Sequence, residues 1–381
     1  MTAIVQKAGK KYLVPKGWSL VTIGDLFKVT RGKVLPMGLV SPESTGTDPY
    51  PVYSSQTKKK GLAGFYSEYL YEDAITWTTD GANAGDVNFR PGKFYCTNVC
   101  GVLLNTHGHA NACVASILNS VTRGYVSYVG NPKLMNDVMA TINIPIPPLA
   151  EQRKIAEILR TWDEAIETAV AELKAKQELH QCLLQKAFSQ GACIAAGEGK
   201  LLGEVVRLTK GKKPELYNEQ FKGAVPYLVA RFIRGEEPPL FASLSDKNAV
   251  SVAASDIVII CDGSNSGEMF TGLDGVLSST MAKLIPTSSD FEKAYIRYFV
   301  GYNGLRLSEA QEGGAIPHLD REKLLNFRIP MLEKKEQQLV IERLNASERA
   351  VQFVNERAEL LRAQKRGLMQ KLLTGEVRVA A

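Results

Sequence analysis

The chain has 381 residues, 45% hydrophobic and 23% charged, values ordinary for soluble globular protein and enough for two or more domains. No stretch reaches the roughly 18 unbroken apolar residues of a membrane span, and residues 1–16 lack the apolar core of a secretion signal. The formal net charge is +6, but residues 1–147 hold 14 basic and 9 acidic residues whereas residues 191–331 hold 16 and 17. We therefore expect a cytoplasmic protein with only a weak charge signal for nucleic-acid binding.

The first globular region, residues 1–147, is predicted to be rich in strands. The β-branched and aromatic run at 73–79 ends at Asp80-Gly81, and residues 99–104 form another apolar run. Helix-like stretches are fewer. These patterns predict a mixed α+β domain with much loop.

A long helix is predicted over residues 148–190. Pro147 and Pro148 are tolerated only at the start of a helix, and Gly191 lies where a C-terminal stop belongs. Apolar residues recur in alternating steps of four and three for about five heptads, and good helix formers lie between them. At about 1.5 Å per residue, such a helix reaches roughly 60 Å.

The second half of the chain repeats the first. The proline-rich string that opens at Ile144 returns at Ile329, 185 residues later, and the Asp-Gly-x-Asn-x-Gly loop at 80–85 returns at 262–267. Repeats of this kind indicate a duplicated structural unit. Residues 191–331 are therefore predicted to form a second globular domain, and residues 332–381 a second long helix with a C-terminal tail.

Neither helix is apolar on all sides, so each needs a partner. We predict that they pack antiparallel on each other, because a globular domain separates them. The predicted fold class is α+β: two globular domains separated by two long helices that pair as an antiparallel coiled coil, with an internal pseudo-two-fold repeat. The residues predicted to pack this coil are Ile155, Leu159, Trp162, Ile166, Leu173, Leu183, Val340, Leu344, Val351, Val354, Leu361 and Leu368.

Polar residues interrupt both apolar stripes. Lys176 and His180 stand in the first stripe, and Lys365 stands in the second at the position that corresponds to His180. One interpretation is a solvated gap in an imperfect coil. The other is a surface where a further subunit docks.

No complete catalytic motif is present. The sequence lacks the phosphate-binding loop of nucleotide-hydrolysing enzymes and the Gly-x-Ser-x-Gly elbow. The string Asp48-Pro49-Tyr50 lacks the second proline of an amino-methyltransferase motif. Six scattered cysteines do not supply the four clustered ligands of a structural zinc site, so we expect buried reduced thiols and no metal.

The two Asp-Gly-x-Asn-x-Gly loops allow a structural and a functional interpretation. Glycine and asparagine accept positive φ, as a turn that ends a strand requires. The same small residues would also let the backbone approach DNA or a protein partner.

Basic residues near predicted strand ends are candidate DNA contacts. Lys and Arg bind phosphate groups, and Arg can also read guanine through two hydrogen bonds. The candidates in the first half are Arg31, Lys33, Lys58, Lys59 and Lys60, and those in the second half are Lys210, Lys212, Lys213, Arg231 and Arg234.

Four motifs are informative together: the string Pro15-Lys16-Gly17-Trp18, the paired Asp-Gly-x-Asn-x-Gly loops, the paired strings at 144–152 and 329–333, and the closing residues 372–379. With this arrangement the chain resembles the specificity subunit of type I restriction–modification systems over essentially its whole length. The second proline string is degenerate, with Lys334-Lys335-Glu336-Gln337 in place of Leu-Ala-Glu-Gln, but it keeps its position.

The resemblance implies two target-recognition domains, residues 1–147 and 191–331, that each read half of a bipartite DNA sequence. The helices would fix the gap between the half-sites. Implied partners are double-stranded DNA, two modification (methyltransferase) subunits and restriction subunits. The chain would bind no cofactor itself, and S-adenosylmethionine, ATP and Mg²⁺ would belong to those partner subunits. A specificity subunit of this kind is not an enzyme.

Two other hypotheses stay open on the sequence alone. A coiled-coil scaffold that joins two protein-binding domains would share the same helices. A self-sufficient enzyme would have to modify or cleave DNA as the purified chain.

Overall fold

The computed structural model describes residues 3–7, 10–55, 58–105, 107–189, 199–263, 265–309 and 318–379. The chain forms two compact units. Unit 1 comprises residues 1–170 and 356–381, and unit 2 comprises residues 171–355. Each unit therefore contains one strand-rich region and half of each of two long helices.

Unit 1 is built on a sheet with strand order β4-β9-β7-β8-β5-β6. The short hairpin β1-β2 and the pair β3-β10 accompany it. The strands are β1 (Ala3–Lys7), β2 (Lys10–Val14), β3 (Ser19–Thr22), β4 (Lys28–Arg31), β5 (Tyr50–Tyr53), β6 (Leu62–Tyr66), β7 (Tyr71–Thr78), β8 (Val87–Cys96), β9 (Cys100–Leu104) and β10 (Asn143–Ile146), and the short helices are α1 (Ile23–Leu26), α2 (Ala112–Val121) and α3 (Asn136–Thr141).

The core of unit 1 lies around the central strand β7. Trp77 is buried, and its indole Nε1 donates to the carbonyl of Leu134 at 2.9 Å. Gly101 on the neighbouring strand lies directly opposite, and a Cβ there would come within 2.1 Å of the Trp77 ring. A glycine at this position is therefore required for the indole to lie flat against the sheet.

Unit 2 divides its strands between two sheets, β12-β19-β16-β17 and β14-β13-β18-β15. The first and last strands of this unit, β11 and β20, form a separate antiparallel pair. The strands are β11 (Lys200–Leu201), β12 (Val206–Lys210), β13 (Ala224–Leu228), β14 (Phe241–Ser243), β15 (Ser251–Val252), β16 (Ile257–Ile260), β17 (Met269–Phe270), β18 (Gly275–Leu277), β19 (Met281–Pro286) and β20 (Arg328–Ile329), and the helices are α5 (Leu202–Val205), α6 (Ala230–Ile233), α7 (Lys293–Glu309) and α8 (Arg321–Leu325).

Strand pairing confirms the internal repeat. The antiparallel pairs β4-β9 and β9-β7 return as β12-β19 and β19-β16, and the parallel pair β5-β8 returns as β13-β18. One difference explains the divided sheet. The single strand β8 of unit 1 corresponds to two short strands, β17 and β18, with the residues 271–274 between them. Gly272, with φ +77°, turns the chain at this break.

Both long helices begin where the prolines predict. The first, α4, spans Leu149–Phe188, and the second, α9, spans Lys334–Leu373, so each has 40 residues. Gly375, with φ +70°, follows the end of α9 as a C-terminal glycine should. Gly191, the predicted stop of the first helix, lies outside the described residues.

The two helices pack antiparallel, as predicted. In unit 1 the first half of α4 shares a core with the end of α9, where Ile155 and Leu159 lie in one cluster with Leu372. In unit 2 the end of α4 shares a core with the first half of α9, where Leu184 joins Ile341. The coil is therefore continuous with the hydrophobic core of each unit.

All twelve residues predicted to pack the coil are removed at least partly from solvent. Ile155, Leu159, Leu344 and Val354 are buried, and the other eight, Trp162, Ile166, Leu173, Leu183, Val340, Val351, Leu361 and Leu368, are half-buried.

The interruptions of the stripes have partners within the chain. The Lys365 ammonium lies 2.6 Å from the Asp163 carboxylate of α4, and the half-buried His180 ring lies edge-on to Tyr298 of α7. A plain solvated gap is therefore wrong at Lys365, whereas His180 lines an open cavity of about 570 Å³, so the solvated-gap interpretation remains open there.

Candidate nucleic-acid interface

Strand ends and loops of unit 1 meet at one polar border of its sheet. Lys33 N donates to Cys96 O at 3.1 Å, Thr97 N donates to Tyr53 O at 2.9 Å, and Thr79 N donates to Val99 O at 3.0 Å. We call this border edge 1. It comprises residues 31–33, 54–55, 58–61, 80–85, 97–99 and 127–133.

The last of these segments was not singled out from the sequence. Its base is closed by two hydrogen bonds between Ser127 and Lys133, both 2.9 Å long, and Gly81 N donates to Pro132 O at 3.0 Å. Tyr128 and Val129 are strongly exposed at its tip. A hydrogen-bonded loop with exposed apolar residues therefore adjoins the Asp-Gly-x-Asn-x-Gly loop of edge 1.

Unit 2 has a corresponding border, edge 2, which comprises residues 210–213, 229–234, 262–263, 265–268 and 278–280. Gly211 N donates to Met281 O at 2.9 Å, Asp262 N donates to Thr280 O at 3.1 Å, and Ser278 N donates to Leu228 O at 3.2 Å. The same kinds of segment therefore meet in both halves.

A glycine holds the same position at each edge, between two basic residues. A Cβ on Gly32 would lie 2.2 Å from the carbonyl oxygen of Cys96, and a Cβ on Gly211 would lie 2.1 Å from that of Ser278. Both distances are far below van der Waals contact. Glycine therefore allows the end of β4 or β12 to press against the neighbouring turn, and this fixes where Arg31, Lys33, Lys210 and Lys212 emerge.

The Asp-Gly-x-Asn-x-Gly loops have the backbone that the turn interpretation requires. Gly81 and Gly85 have φ of +93° and +88°, and Gly263 and Gly267 have φ of +117° and +94°. Only glycine adopts these angles without strain. Because each loop also lies at an edge, its structural role does not exclude contact with a ligand.

The basic candidates of edge 2 are mostly paired with acids. Lys210 Nζ lies 2.8 Å from Asp262 Oδ2, Arg231 lies 3.4 Å from Glu237, and Arg234 pairs with Glu268. Lys212 and Lys213 are exposed, and no ion pair joins either to a described carboxylate.

The Asp262 carboxylate contacts two basic side chains at edge 2, Lys210 and His318. Partial burial alone would raise its pKa, but hydrogen bonds from Lys210 and His318 lower the pKa below its ordinary value. Asp262 therefore remains ionised at neutral pH and neutralises part of the basic charge beside it.

The basic candidates of edge 1 are arranged differently. Arg31 Nη2 donates to the carbonyl of Asn98 at 2.9 Å, and Lys33, Lys59 and Lys60 are exposed. No ion pair joins these four to a carboxylate in the described part of the chain. The side chain of Lys58 lies outside that part.

Lys59 and Lys60 have an unusual backbone. Their φ angles are +50° and +52°, in the left-handed region that costs a non-glycine residue roughly 1–2 kcal/mol. The carbonyl of Lys60 accepts a hydrogen bond from Arg90 Nη2 at 2.7 Å. Arg90 was not a candidate, because an arginine in the middle of a strand gives no sequence signal of this contact.

Cysteine chemistry plays no evident part at either edge. Cys96, Cys100, Cys113 and Cys261 are buried, and burial raises the pKa of the Cys100 and Cys261 thiols to about 11. The expectation of a buried thiol is wrong for Cys182, which is exposed on α4, and Cys193 lies outside the described residues. The described residues hold no group of three or more His, Cys, Asp or Glu side chains suited to a metal ion.

The model of the type I restriction modification DNA specificity domain matches residues 15–176 and 198–362. The chain belongs to this family. The two matched segments each contain one strand-rich region and most of the helix that follows it, so the family unit coincides with the repeat. None of the helices in the described residues is long and apolar enough to cross a membrane.

Curated relatives agree with this assignment. The MjaVIII type I restriction enzyme specificity subunit of Methanocaldococcus jannaschii is 32% identical over 174 residues, which cover 45% of this chain and 41% of that protein. A putative type I specificity subunit of Mycoplasma pneumoniae, S.MpnORF507P, is 33% identical over 205 residues, which cover 52% of this chain and 55% of the relative. The chain thus spans about half the length of the relatives it matches.

Solved structures share the fold over nearly the whole chain. The S subunit of a type I restriction–modification system from M. genitalium matches with a TM-score of 0.63 at 15% identity, covering 93% of this chain and 96% of that one. A structure described for complex assembly and conformational transition of the type I R-M system matches with a TM-score of 0.59 at 16% identity, covering 96% and 100%. The predicted fold class is thereby confirmed.

Proposed function

We propose that this chain recognises a bipartite DNA sequence, with edge 1 and edge 2 each reading one half-site. The observation that carries the proposal is that both edges repeat one arrangement. In each, a closely packed glycine lies between two basic residues, next to a glycine-rich loop. Exposed lysines and arginines at strand ends supply phosphate contacts, and loops between strands reach base edges in a groove. Family membership supports DNA as the ligand.

The long helices act in this proposal as a spacer between the two readers. Forty residues at about 1.5 Å each give a rod of roughly 60 Å. In this proposal the length of the helices sets the gap between the two half-sites. The candidate residues Arg31, Lys33, Lys58, Lys59, Lys60, Lys210, Lys212, Lys213, Arg231 and Arg234 remain proposed DNA contacts.

The chain has no chemistry of its own in this proposal. Two methyltransferase subunits and the restriction subunits dock on it in the cytoplasm. Those subunits supply the sites for S-adenosylmethionine, ATP and Mg²⁺. The exposed faces of α4 and α9 are the proposed docking surfaces for the methyltransferase subunits.

Domain exchange tests the proposal. Residues 1–147 are replaced by the same region of a paralogue, the chain is co-expressed with its methyltransferase subunits, and the methylated adenines are mapped. Exactly one half of the methylated sequence should change, because edge 1 lies wholly within the exchanged region. A methylated sequence that stays the same would favour the scaffold hypothesis.

The enzyme hypothesis is tested with the purified chain. The chain alone should neither methylate nor cleave DNA, and addition of the methyltransferase subunits with S-adenosylmethionine should restore methylation. Modification by the chain alone would contradict the proposal.

A further inference from the structure

We propose that residues 58–61 form a preorganised phosphate-contact site of unit 1 and that the buried Arg90 positions it. This inference rests on the proposed function, since the phosphate belongs to bound DNA. It assigns a positioning role to a residue that forms no ion pair with any carboxylate of the described residues.

Arg90 is buried on β8, and its guanidinium makes three contacts. Nε donates to Thr76 Oγ1 at 3.0 Å, Nη2 donates to Lys60 O at 2.7 Å, and the guanidinium carbon lies 3.7 Å from the centre of the Tyr53 ring. No described carboxylate forms an ion pair with Arg90. A buried cation without a counter-ion is unfavourable, so its presence needs a reason beyond stability.

The contact with Lys60 supplies that reason. Two consecutive lysines hold left-handed backbone angles, which free chains seldom adopt. The Arg90 hydrogen bond holds one side of this turn, and Ser54 N, which donates to Gly61 O at 2.8 Å, holds the other. Both lysine side chains remain exposed, so the strained turn fixes the backbone from which two ammonium groups reach solvent.

A polar cavity of about 40 Å³ adjoins the turn. Asn83, Asn88 and Thr78 line it together with Lys60 and Arg90, so hydrogen-bond donors surround the space. Asp86 also lines the cavity, and its carboxylate is tied to Arg123 at 3.0 Å. A phosphate oxygen that approaches Lys60 would therefore meet further donors and little uncompensated negative charge.

The described residues of unit 2 contain no corresponding site. The position that corresponds to Arg90, 182 residues later, is Gly272. The loop that corresponds to residues 54–61 contains α6, and its arginines Arg231 and Arg234 are tied to glutamates. The preorganised site is thus a property of one half of the repeat.

The test measures the salt dependence of DNA binding by the full chain on its mapped target. Arg90→Met should weaken binding roughly tenfold and reduce the slope of log affinity against log salt by about 2, as for two lost phosphate contacts. Lys28→Met is the matched control, because Lys28 is exposed at the opposite end of β4 from Arg31. It should change the slope much less. Arg90→Lys keeps the charge without the planar fork and should fail to restore the slope.

A combined variant separates positioning from simple loss of charge. Lys59→Ala with Lys60→Ala should also reduce the slope by about 2, and adding Arg90→Met should reduce it no further. Additive losses, or an unchanged slope in the lysine variant, overturn the inference. The lysine variant changes exposed residues and tests the phosphate contacts even where Arg90→Met fails to fold, and Arg90→Lys, which keeps the buried charge, then tests the positioning role. Wild-type chain that does not bind its mapped target would instead overturn the proposed function.

Discussion

Edge 1 and edge 2 have the same backbone plan but differ in how many of their basic residues are paired with acids. At edge 1 the exposed basic residues form no ion pair with a described carboxylate, and at edge 2 Lys210, Arg231 and Arg234 each pair with an acid. The net charges follow the same trend, with +5 for residues 1–147 and −1 for residues 191–331. Duplication therefore preserved the scaffold while the charge on it diverged. We expect unit 1 to supply most of the phosphate attraction.

In the proposed function the two long helices keep the two half-sites at a fixed separation. Four residues inserted into both helices, after Val170 and after Asn355, lengthen the spacer by roughly 6 Å, or about two base pairs. The chain should then methylate a target with a longer gap and unchanged half-sites, and lose its original target.

Methylated-adenine mapping in co-expressing cells measures this effect. The same insertion after the exposed Gly46, where a Cβ would meet nothing within 4 Å, should leave the gap unchanged. A gap that stays constant after the helix insertion would show that the helices are not the spacer.

Both edges contain a glycine at the same position, and both should depend on it for stability to the same extent. Gly32→Ala and Gly211→Ala each bring a Cβ within about 2.2 Å of a carbonyl oxygen, so the backbone must move. We expect each to lower the free energy of unfolding by roughly 3 kcal/mol, the upper end for overpacking. Thermal unfolding of the full chain measures this, and Gly38→Ala, which meets nothing, is the control. Equal stability of all three variants would mean that the turns are loosely held.

The contribution of the first helix turn to stability should also depend on pH in unit 1 but not in unit 2. Glu151, buried at the start of α4, forms two 2.7 Å hydrogen bonds with Arg378, and these bonds lower its pKa. Its counterpart Glu336 is exposed. Because the folded-state pKa is depressed, the stabilisation is present above the ordinary glutamate pKa and is lost as pH falls through the lowered value.

Glu151→Gln should therefore lower stability by about 2 kcal/mol at pH 7 and by much less at an acidic pH below the lowered pKa, where wild-type Glu151 is also protonated. Unfolding midpoints at the two pH values measure this difference. Glu336→Gln should have a small effect at both. A deficit for Glu151→Gln that is the same at both pH values would contradict the assignment.

The smallest expected effect removes one acid from edge 2. Asp262→Asn frees Lys210 for a phosphate, so affinity should rise about threefold and the salt slope should steepen by about 1. The matched control is Asp256→Asn. The Asp256 carboxylate pairs with Lys283 at 2.6 Å, and Asp256 precedes β16, whereas Asp262 follows it. Weaker binding by Asp262→Asn would mean that the ion pair itself shapes the reading surface.

Structural features that follow from a periodic sequence pattern could be predicted from the sequence. Contacts between two residues far apart in the chain could not. The helices, their starts at proline and their antiparallel pairing follow from apolar spacing sustained over 40 residues. The pairing of Lys210 with Asp262 joins residues 52 positions apart, and no local pattern encodes it. The same is true of Arg90 and Lys60. The divided sheet of unit 2 depends on a turn around Gly272 that reads in sequence as an ordinary loop.

One glutamine at the start of each long helix has a consequence for how such chains diversify. Gln152 and Gln337 are both fully buried, and each Nε2 donates to a carbonyl five residues earlier, at 2.8 and 2.9 Å. Each Oε1 then accepts from the strand-rich region: from Asn111 Nδ2 in unit 1 and from Glu292 N in unit 2. The same polar joint therefore attaches each strand-rich region to the start of its long helix. Two regions that differ in surface charge are thus joined to their helices in the same way, so the surface of either region can change while its attachment stays the same.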